Sequence, residues 1–341
     1  MHLNSKLSEI DRKIKSVDAD IKKAEERLAK HKRGFLLRIS LCVVAVIVAL
    51  TMFGIYKKIN PTIDGVTYRV TDKEGNDRFF DGDEYEVDKI KRGVTEVDIL
   101  TEVNGKPVTR FCAKIPKSLV NITLPDVFDE MIDDYLFYNA KNIKYNEYDN
   151  GLYIGSAENP YLWLVKAKSD DVTSCVAHND TKYIFRKAFY GLNHLENVVL
   201  GGNVEVIGQY AFANSGIKRI EACTGLKVIE GYAFYESSLS YIEIPNTVEI
   251  IGDWAFKECG LRNIKVPLSV KIMGSDVFGD TFAAKAYCEA TSRPVGWEED
   301  WGKAAEWGHK CEADEWKTDK DGNSVLRCKD CKTILDEKHG N

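Results

Sequence analysis

The feature that most constrains this chain is a 22-residue period in its second half. Segments beginning at Ile207 (IGQYAFANSGIKRIEACTGLKV), Ile229 (IEGYAFYESSLSYIEIPNTVEI), Ile251 (IGDWAFKECGLRNIKVPLSVKI) and Met273 (MGSDVFGDTFAAKAYCEATSRP) align without gaps. A segment from Ile184 is one residue longer. An Ala-Phe pair recurs at Phe189, Phe212, Phe234 and Phe256, and Phe278 keeps the ring. One such unit cannot bury its apolar side alone. Stacked units can, forming a continuous core and a parallel sheet with ~4.8 Å between neighbours.

The residue chemistry within a unit gives the strand. Leu239, Ile242 and Ile244 precede Pro245, and the next unit offers Leu261, Ile264, Val266 and Pro267. Ile242 and Ile244 flank Glu243, so one face is apolar and the other polar. Proline ends the strand because it has no N–H for the ladder. Val248 with Ile250, and Val270 with Ile272, are expected to supply a second inward pair. The phenylalanine fills the centre of each coil while its alanine neighbour lets the chain turn closely. A period within roughly 20–29 residues and this strand pattern predict a β-rich leucine-rich-repeat solenoid. Strand residues pointing away from the core then form a surface across successive units. They are Asn197, Val199, Arg219, Glu221, Tyr241, Glu243, Asn263 and Lys265, a mixture suited to protein recognition.

The pattern IG-x-x-AF…L-x-x-I-x-IP-x-x-V-x-x-IG resembles the BspA-type leucine-rich repeats of bacterial and some protist surface proteins. Lys144 to Ile184 is similar to an insert found between such repeats, and Asn121 to Ile143 resembles a degenerate unit with Leu136 and Phe137 near the Ala-Phe position. The resemblance spans about Ile115 to Trp301, and implies an adhesion or surface-interaction role toward an extracellular protein ligand. The repeat domain is accordingly set at 115–295. Before it, residues 60–114 hold GVTYRV, EVDIL and GKPVTRF as short strands between polar turns such as DKEGN and DGDEYE, forming a β-rich cap for the stack.

The amino-terminal region has a different pattern. Leu3, Leu7, Ile10, Ile14, Val17, Ile21, Ala24 and Leu28 follow a 4-3 spacing, which predicts a coiled-coil helix over 1–33 and homo-oligomers through it. A lone amphipathic helix on a membrane surface is the competing reading. Residues 35–58 contain FLLRISLCVVAVIVALTMFGIY, whose stretch from Ile39 to Tyr56 has no charge, and a transmembrane helix through the lipid bilayer is expected there. A signal peptide is disfavoured by the residues preceding the run and the lack of a small-x-small site. Lys22, Lys23, Arg27, Lys30, Lys32, Arg33 and Arg38 before the run outnumber the basic residues after it. That asymmetry places the amino terminus in the cytoplasm and the repeats outside a single-pass cell membrane.

The carboxy-terminal stretch 296–341 turns Trp-rich and then gives His309-x-Cys311, Cys328-x-x-Cys331 and a late His339. Two close-spaced ligand pairs flanking a hairpin-length segment suit a zinc-ribbon-like module, with His309, Cys311, Cys328 and Cys331 holding a structural Zn2+. A disulfide from Cys311 to Cys328 or Cys331 competes with this, whereas a redox pair lacks a surrounding βαβ pattern. The other six of the nine cysteines are scattered and read as small buried hydrophobes. A net charge of −6 argues against nucleic acid as a partner. No nucleophile elbow, phosphate loop or HExxH marks an enzyme, so no catalytic residue is assigned. The functional expectation is protein binding or adhesion by the repeat face. The alternatives are a structural envelope protein or a ligand sensor clustered by the coil.

Overall fold

The computed structural model describes residues 60–71, 82–125, 140–283, 285–318, 324–331 and 334–338, with residues 130, 131 and 137 and scattered positions between 12 and 59. The chain divides into two units, Met1–Pro61 and Thr62–Asn341.

The first unit corrects the expected fold class. Its described positions between 12 and 23 and between 45 and 59 are helical. Among the described residues, no helix is long and apolar enough to cross a membrane. The coiled-coil helix over 1–33 and the transmembrane helix over 35–58 therefore leave the fold class. The single-pass localisation, cytoplasmic amino terminus and extracellular repeats, falls with them. Most of both stretches lies outside the described residues. The physical reason is that spacing and hydropathy are necessary and not sufficient. A seam two positions in seven wide needs a partner to bury it, and an apolar run spans only as one unbroken helix.

In the second unit, Val66–Thr71 pairs antiparallel with Glu84–Ile90, which pairs parallel with Lys106–Phe111. The middle strand contains part of DGDEYE, which the sequence suggested was a turn. Glu86 makes the segment look polar, yet it is 1% exposed and bound by the Arg69 guanidinium across the strand pair. A buried ion pair here occupies a position that alternation reserves for an apolar residue.

The repeats stack as two parallel ladders. One joins Trp163–Ala167, Tyr183–Ile184, Val206–Ile207, Val228–Ile229, Ile250–Ile251 and Ile272–Met273. The other joins Ser174–Val176, Asn197–Val199 and Arg219–Glu221, with a parallel bridge onward to Tyr241. It resumes as Ile264–Val266, Ala286–Cys288 and Ala305–Trp307. The two-residue strands correct the second inward pair expected in each of two units. Val248 and Val270 are buried, but Ile272 is 50% exposed, and Ile251 and Met273 point inward instead. Alternation with period two permits only one of two adjacent strand residues to face the core.

Between the ladders the rings of Phe189, Phe212, Phe234, Phe256 and Phe278 lie in one column, with successive centroids 5.0, 5.1, 5.2 and 5.4 Å apart and planes within 6°. The column ends at Trp301, edge-on to Phe278 at 6.2 Å. Trp297 packs beside it and donates its indole N–H to the Val270 carbonyl at 3.0 Å, so the Trp-rich stretch closes the core. Each turn before the Ala-Phe pair uses a left-handed residue: Lys187, Tyr210, Tyr232, Trp254 and Asp276 have φ between 48° and 60°. Such φ is costly for bulky side chains. The turn is held by hydrogen bonds to the next coil, as from the Tyr232 N–H to the Asp253 carbonyl at 2.8 Å. Ring stacking of Tyr210 on Tyr232 at 4.6 Å adds to this.

Phe234→Ala is expected to lower the unfolding free energy by ~3–5 kcal/mol through cavity formation. Ile272→Ala should cost under ~1 kcal/mol. Urea unfolding of both full-length variants tests this, and equal losses would contradict the inward and outward assignments.

Candidate functional site

Asn197–Val199 and Arg219–Glu221 lie in register, Asn197 opposite Arg219 and Val199 opposite Glu221. Val198 and Ile220 enter the core between them, leaving those four side chains exposed. Beyond Tyr241 the strand is not continued. Glu243 is exposed, and Asn263 and Lys265 are half-buried on either side of buried Ile264. At this break lies a groove of about 440 Å³ whose lining includes Arg219, Glu221, Tyr241, Glu243, Asn263, Lys265 and Cys331. Six of the eight face residues inferred from the sequence meet there. Asn197 and Val199 lie outside the groove on the same ladder.

Cys331 is in the groove wall because the carboxy-terminal sheet folds back onto the repeats. That sheet comprises Ala313–Thr318, Ser324–Cys328 and Ile334–Lys338, all antiparallel. The Arg327 guanidinium sits 5.7 Å from the centroid of the Tyr241 ring, a cation–π contact. Lys265 is bound to Glu289 at 2.8 Å. Burial opposes its charge, but the Glu289 carboxylate, aided by the Cys311 and Cys331 thiols, raises its pKa. It is thus committed to the base of the module.

His309, Cys311, Cys328 and Cys331 bring one ligand atom each within 4.8 Å of one another. His309 and Cys311 follow the last repeat strand. The His309 N–H donates to the Cys288 carbonyl at 2.9 Å, and the turn between uses Gly308 at φ 72°. Cys328 ends the middle strand of the terminal sheet opposite Ala313, and Cys331 follows in the turn. One ligand pair therefore belongs to the end of the stack and the other to the sheet that covers it.

The donor geometry fits a metal ion. His309 Nε2 lies 3.7 Å from Cys328 Sγ and 3.9 Å from Cys311 Sγ, and Cys311 Sγ lies 3.6 Å from Cys331 Sγ. Metal–sulfur bonds of ~2.3 Å and metal–nitrogen bonds of ~2.0 Å in a tetrahedron give edges of roughly 3.5–3.8 Å. His309, Cys328 and Cys331 are buried, and the described cysteines are free thiols. Glu306 Oε1 lies 3.4 Å from His309 Nδ1, leaving Nε2 for the ion. Burial opposes ionisation of Cys328, yet the N–H groups of Asp330 and Cys331, with Cys331 and His309 side chains, draw its thiol down to about 6. Cys311 is pushed up to about 12 by burial and by the Cys331 thiol. The sequence offered the four ligands by spacing. It gave no signal for Arg327 on Tyr241, a contact between residues 86 positions apart. Glu306, three residues before His309, was visible as a neighbour but not as an orienting group.

Residues 167–284 match, in six copies, the family described as the BspA type leucine rich repeat region. The chain is similar to the solved structure of a leucine rich repeat protein of T. pallidum, TpLRR, at 27% identity over 42% of this chain and 71% of that one, with a TM-score of 0.38. A leucine-rich repeat protein from Bacteroides ovatus is 23% identical over 69% of this chain and 66% of its own, with a TM-score of 0.39. The pneumococcal vaccine antigen PcpA is 16% identical over 65% and 51%, with a TM-score of 0.42. The chain thus spans between 51% and 71% of the lengths of these proteins. No curated protein matches it.

Cobalt(II) titration of the full chain should give a tetrahedral thiolate spectrum that saturates at about one ion per chain. Glu306→Gln should weaken the affinity by about 10–100-fold, and acidification should release the ion because the thiols must be deprotonated to bind it. A spectrum unchanged by Cys331→Ser would remove these residues from the site.

Proposed function

We propose that this chain is a protein-binding module and that its recognition surface is the outward row on the repeat strands. The observation that carries this reading is the register of Asn197 with Arg219 and Val199 with Glu221. Exposed side chains are thereby fixed on adjacent parallel strands, leading into the groove at Tyr241 and Glu243. Such a surface offers hydrogen-bonding and charged groups at the spacing of a strand ladder without ordering a loop on binding, which lowers the entropic cost of association. Adhesion is the form of protein binding that the likeness of residues 167–284 to BspA-type repeats suggests for the chain.

Zinc is the metal we assign to His309, Cys311, Cys328 and Cys331. Three thiolates and one imidazole with no open position make a structural site. Its role is to join the terminal sheet to the last repeat coil, since each contributes one ligand pair. The sheet has little core of its own, and the ion supplies the missing stabilisation. With the sheet in place, Tyr241 and Lys265 form the floor of a groove, while Asn197, Val199, Arg219 and Glu221 stay open to a partner.

Arg219→Glu combined with Glu221→Lys reverses two exposed charges without touching the core. Proteins enriched by the wild-type chain should lose affinity for this variant by about tenfold or more, as expected of central interface positions. If every enriched protein binds the variant unchanged, the repeat face is not the recognition surface.

A further inference from the structure

Several lysines of the solenoid meet acids about one coil away. Lys218 meets Glu196 at 2.5 Å, Lys227 meets Glu205 at 2.8 Å and Lys271 meets Glu249 at 2.9 Å. The region before the repeats behaves differently. A groove of about 770 Å³ runs between the end of the Glu84–Ile90 strand and the segment that follows Lys106–Phe111. Lys89, Arg92, Lys114 and Lys117 line it, and all four are exposed. Among the described residues none of the four is in an ion pair. The acid in the lining is Asp88, and it lies 3.6 Å from the Arg69 guanidinium. The groove is therefore positive within a chain of net charge −6.

Hydrogen bonds hold the two basic segments to each other and to the neighbouring turn. The Cys112 N–H donates to the Val87 carbonyl at 2.9 Å, and the Lys91 N–H donates to the Gly65 carbonyl at 2.8 Å. The Gly93 N–H donates to the Ser118 hydroxyl at 3.0 Å. The cations are thus mounted on a fixed frame, and like charges held close together stay unneutralised until an anion arrives.

We propose that this groove binds a polyanionic polysaccharide, a ligand distinct from the protein partner of the repeat face. The lining chooses among polyanions. It contains no aromatic side chain, so nucleobases have no stacking platform. It does contain Ile115 and Pro116, both half-buried between Lys114 and Lys117. A polymer that alternates anionic groups with sugar rings sets its charges on the lysines and its C–H faces on those two residues. Inorganic polyphosphate has only the charges. Binding should follow counterion release and weaken steeply with salt.

Heparin serves as the probe, measured by calorimetry with the full chain at two salt concentrations, beside inorganic polyphosphate and poly-glutamate. The expected result is heparin binding that exceeds both other polymers and falls as salt rises. Lys89→Ala, Arg92→Ala, Lys114→Ala and Lys117→Ala together should weaken it at least about tenfold and flatten the salt dependence. Lys218→Ala with Lys227→Ala, which removes paired lysines on the solenoid, should leave it unchanged. All six positions are exposed, and coincident thermal melts establish that each variant is folded. Absence of heparin binding, or binding unaffected by the fourfold variant, overturns the groove. Equal binding of poly-glutamate or polyphosphate overturns the polysaccharide.

Discussion

The translation of about 5 Å from coil to coil is the constraint on which the structure depends. It is set by the strand ladders, whose hydrogen-bonded spacing is ~4.8 Å, and is matched by the phenylalanine column at 5.0–5.4 Å. Aromatic rings left to themselves favour offset or edge-on contacts. Here the ladder spacing holds the rings near-parallel, and the column meets Trp301 edge-on. Every coil then presents the same interior to its neighbour. A tolerated residue at the Ala-Phe position must fill the same volume in each unit.

The period made this interior legible in the sequence. Phe212, Phe234 and Phe256 are each fully buried, as their recurrence implied, and Leu239, Ile264 and Val266 join them. The inward pair at Val248 and Ile250 was half right, because the strand there is only two residues long and takes Ile251 inward instead. Residues 84–90 escaped because Glu86 is a charge in a core position, and polarity patterns cannot distinguish a paired buried acid from a turn. The amino-terminal helices were overread for the opposite reason: heptad spacing and an apolar run are necessary for a coiled coil and a span but do not by themselves establish either. The four Cys/His ligands were visible as two short spacings. Their position against the repeat face was not, since Arg327 reaches Tyr241 only through the return of the terminal sheet.

That return changes the meaning of the repeat face. A row of outward strand residues suggests an open surface along its whole length. In the folded chain, Lys265 is bound to Glu289 and lies beneath thiols, and Tyr241 carries a guanidinium. The accessible part is therefore shifted toward Asn197 and Arg219, and the break in the ladder between Tyr241 and Ile264 becomes a groove with two different walls. The metal-ligand cluster belongs to this same boundary. Glu306 lies beside the His309 imidazole, and Lys265 lies near the Cys311 and Cys331 thiols while paired with Glu289.

The pairing of Lys218 with Glu196 and of Lys227 with Glu205 has a consequence for how such a chain can change length. Each pair links one coil to the one before it, and each hydrogen bond from a left-handed turn residue links its coil to the one after. Excising or duplicating one whole unit leaves every remaining unit with a neighbour of the kind it had. Removing a few residues from inside a unit displaces charges, rings and turns together. Length is thus quantised in whole units, 22 residues each from Ile207 onward. The solenoid works as a ruler whose graduations can be added singly, with the distance between its two dissimilar ends as the quantity that varies.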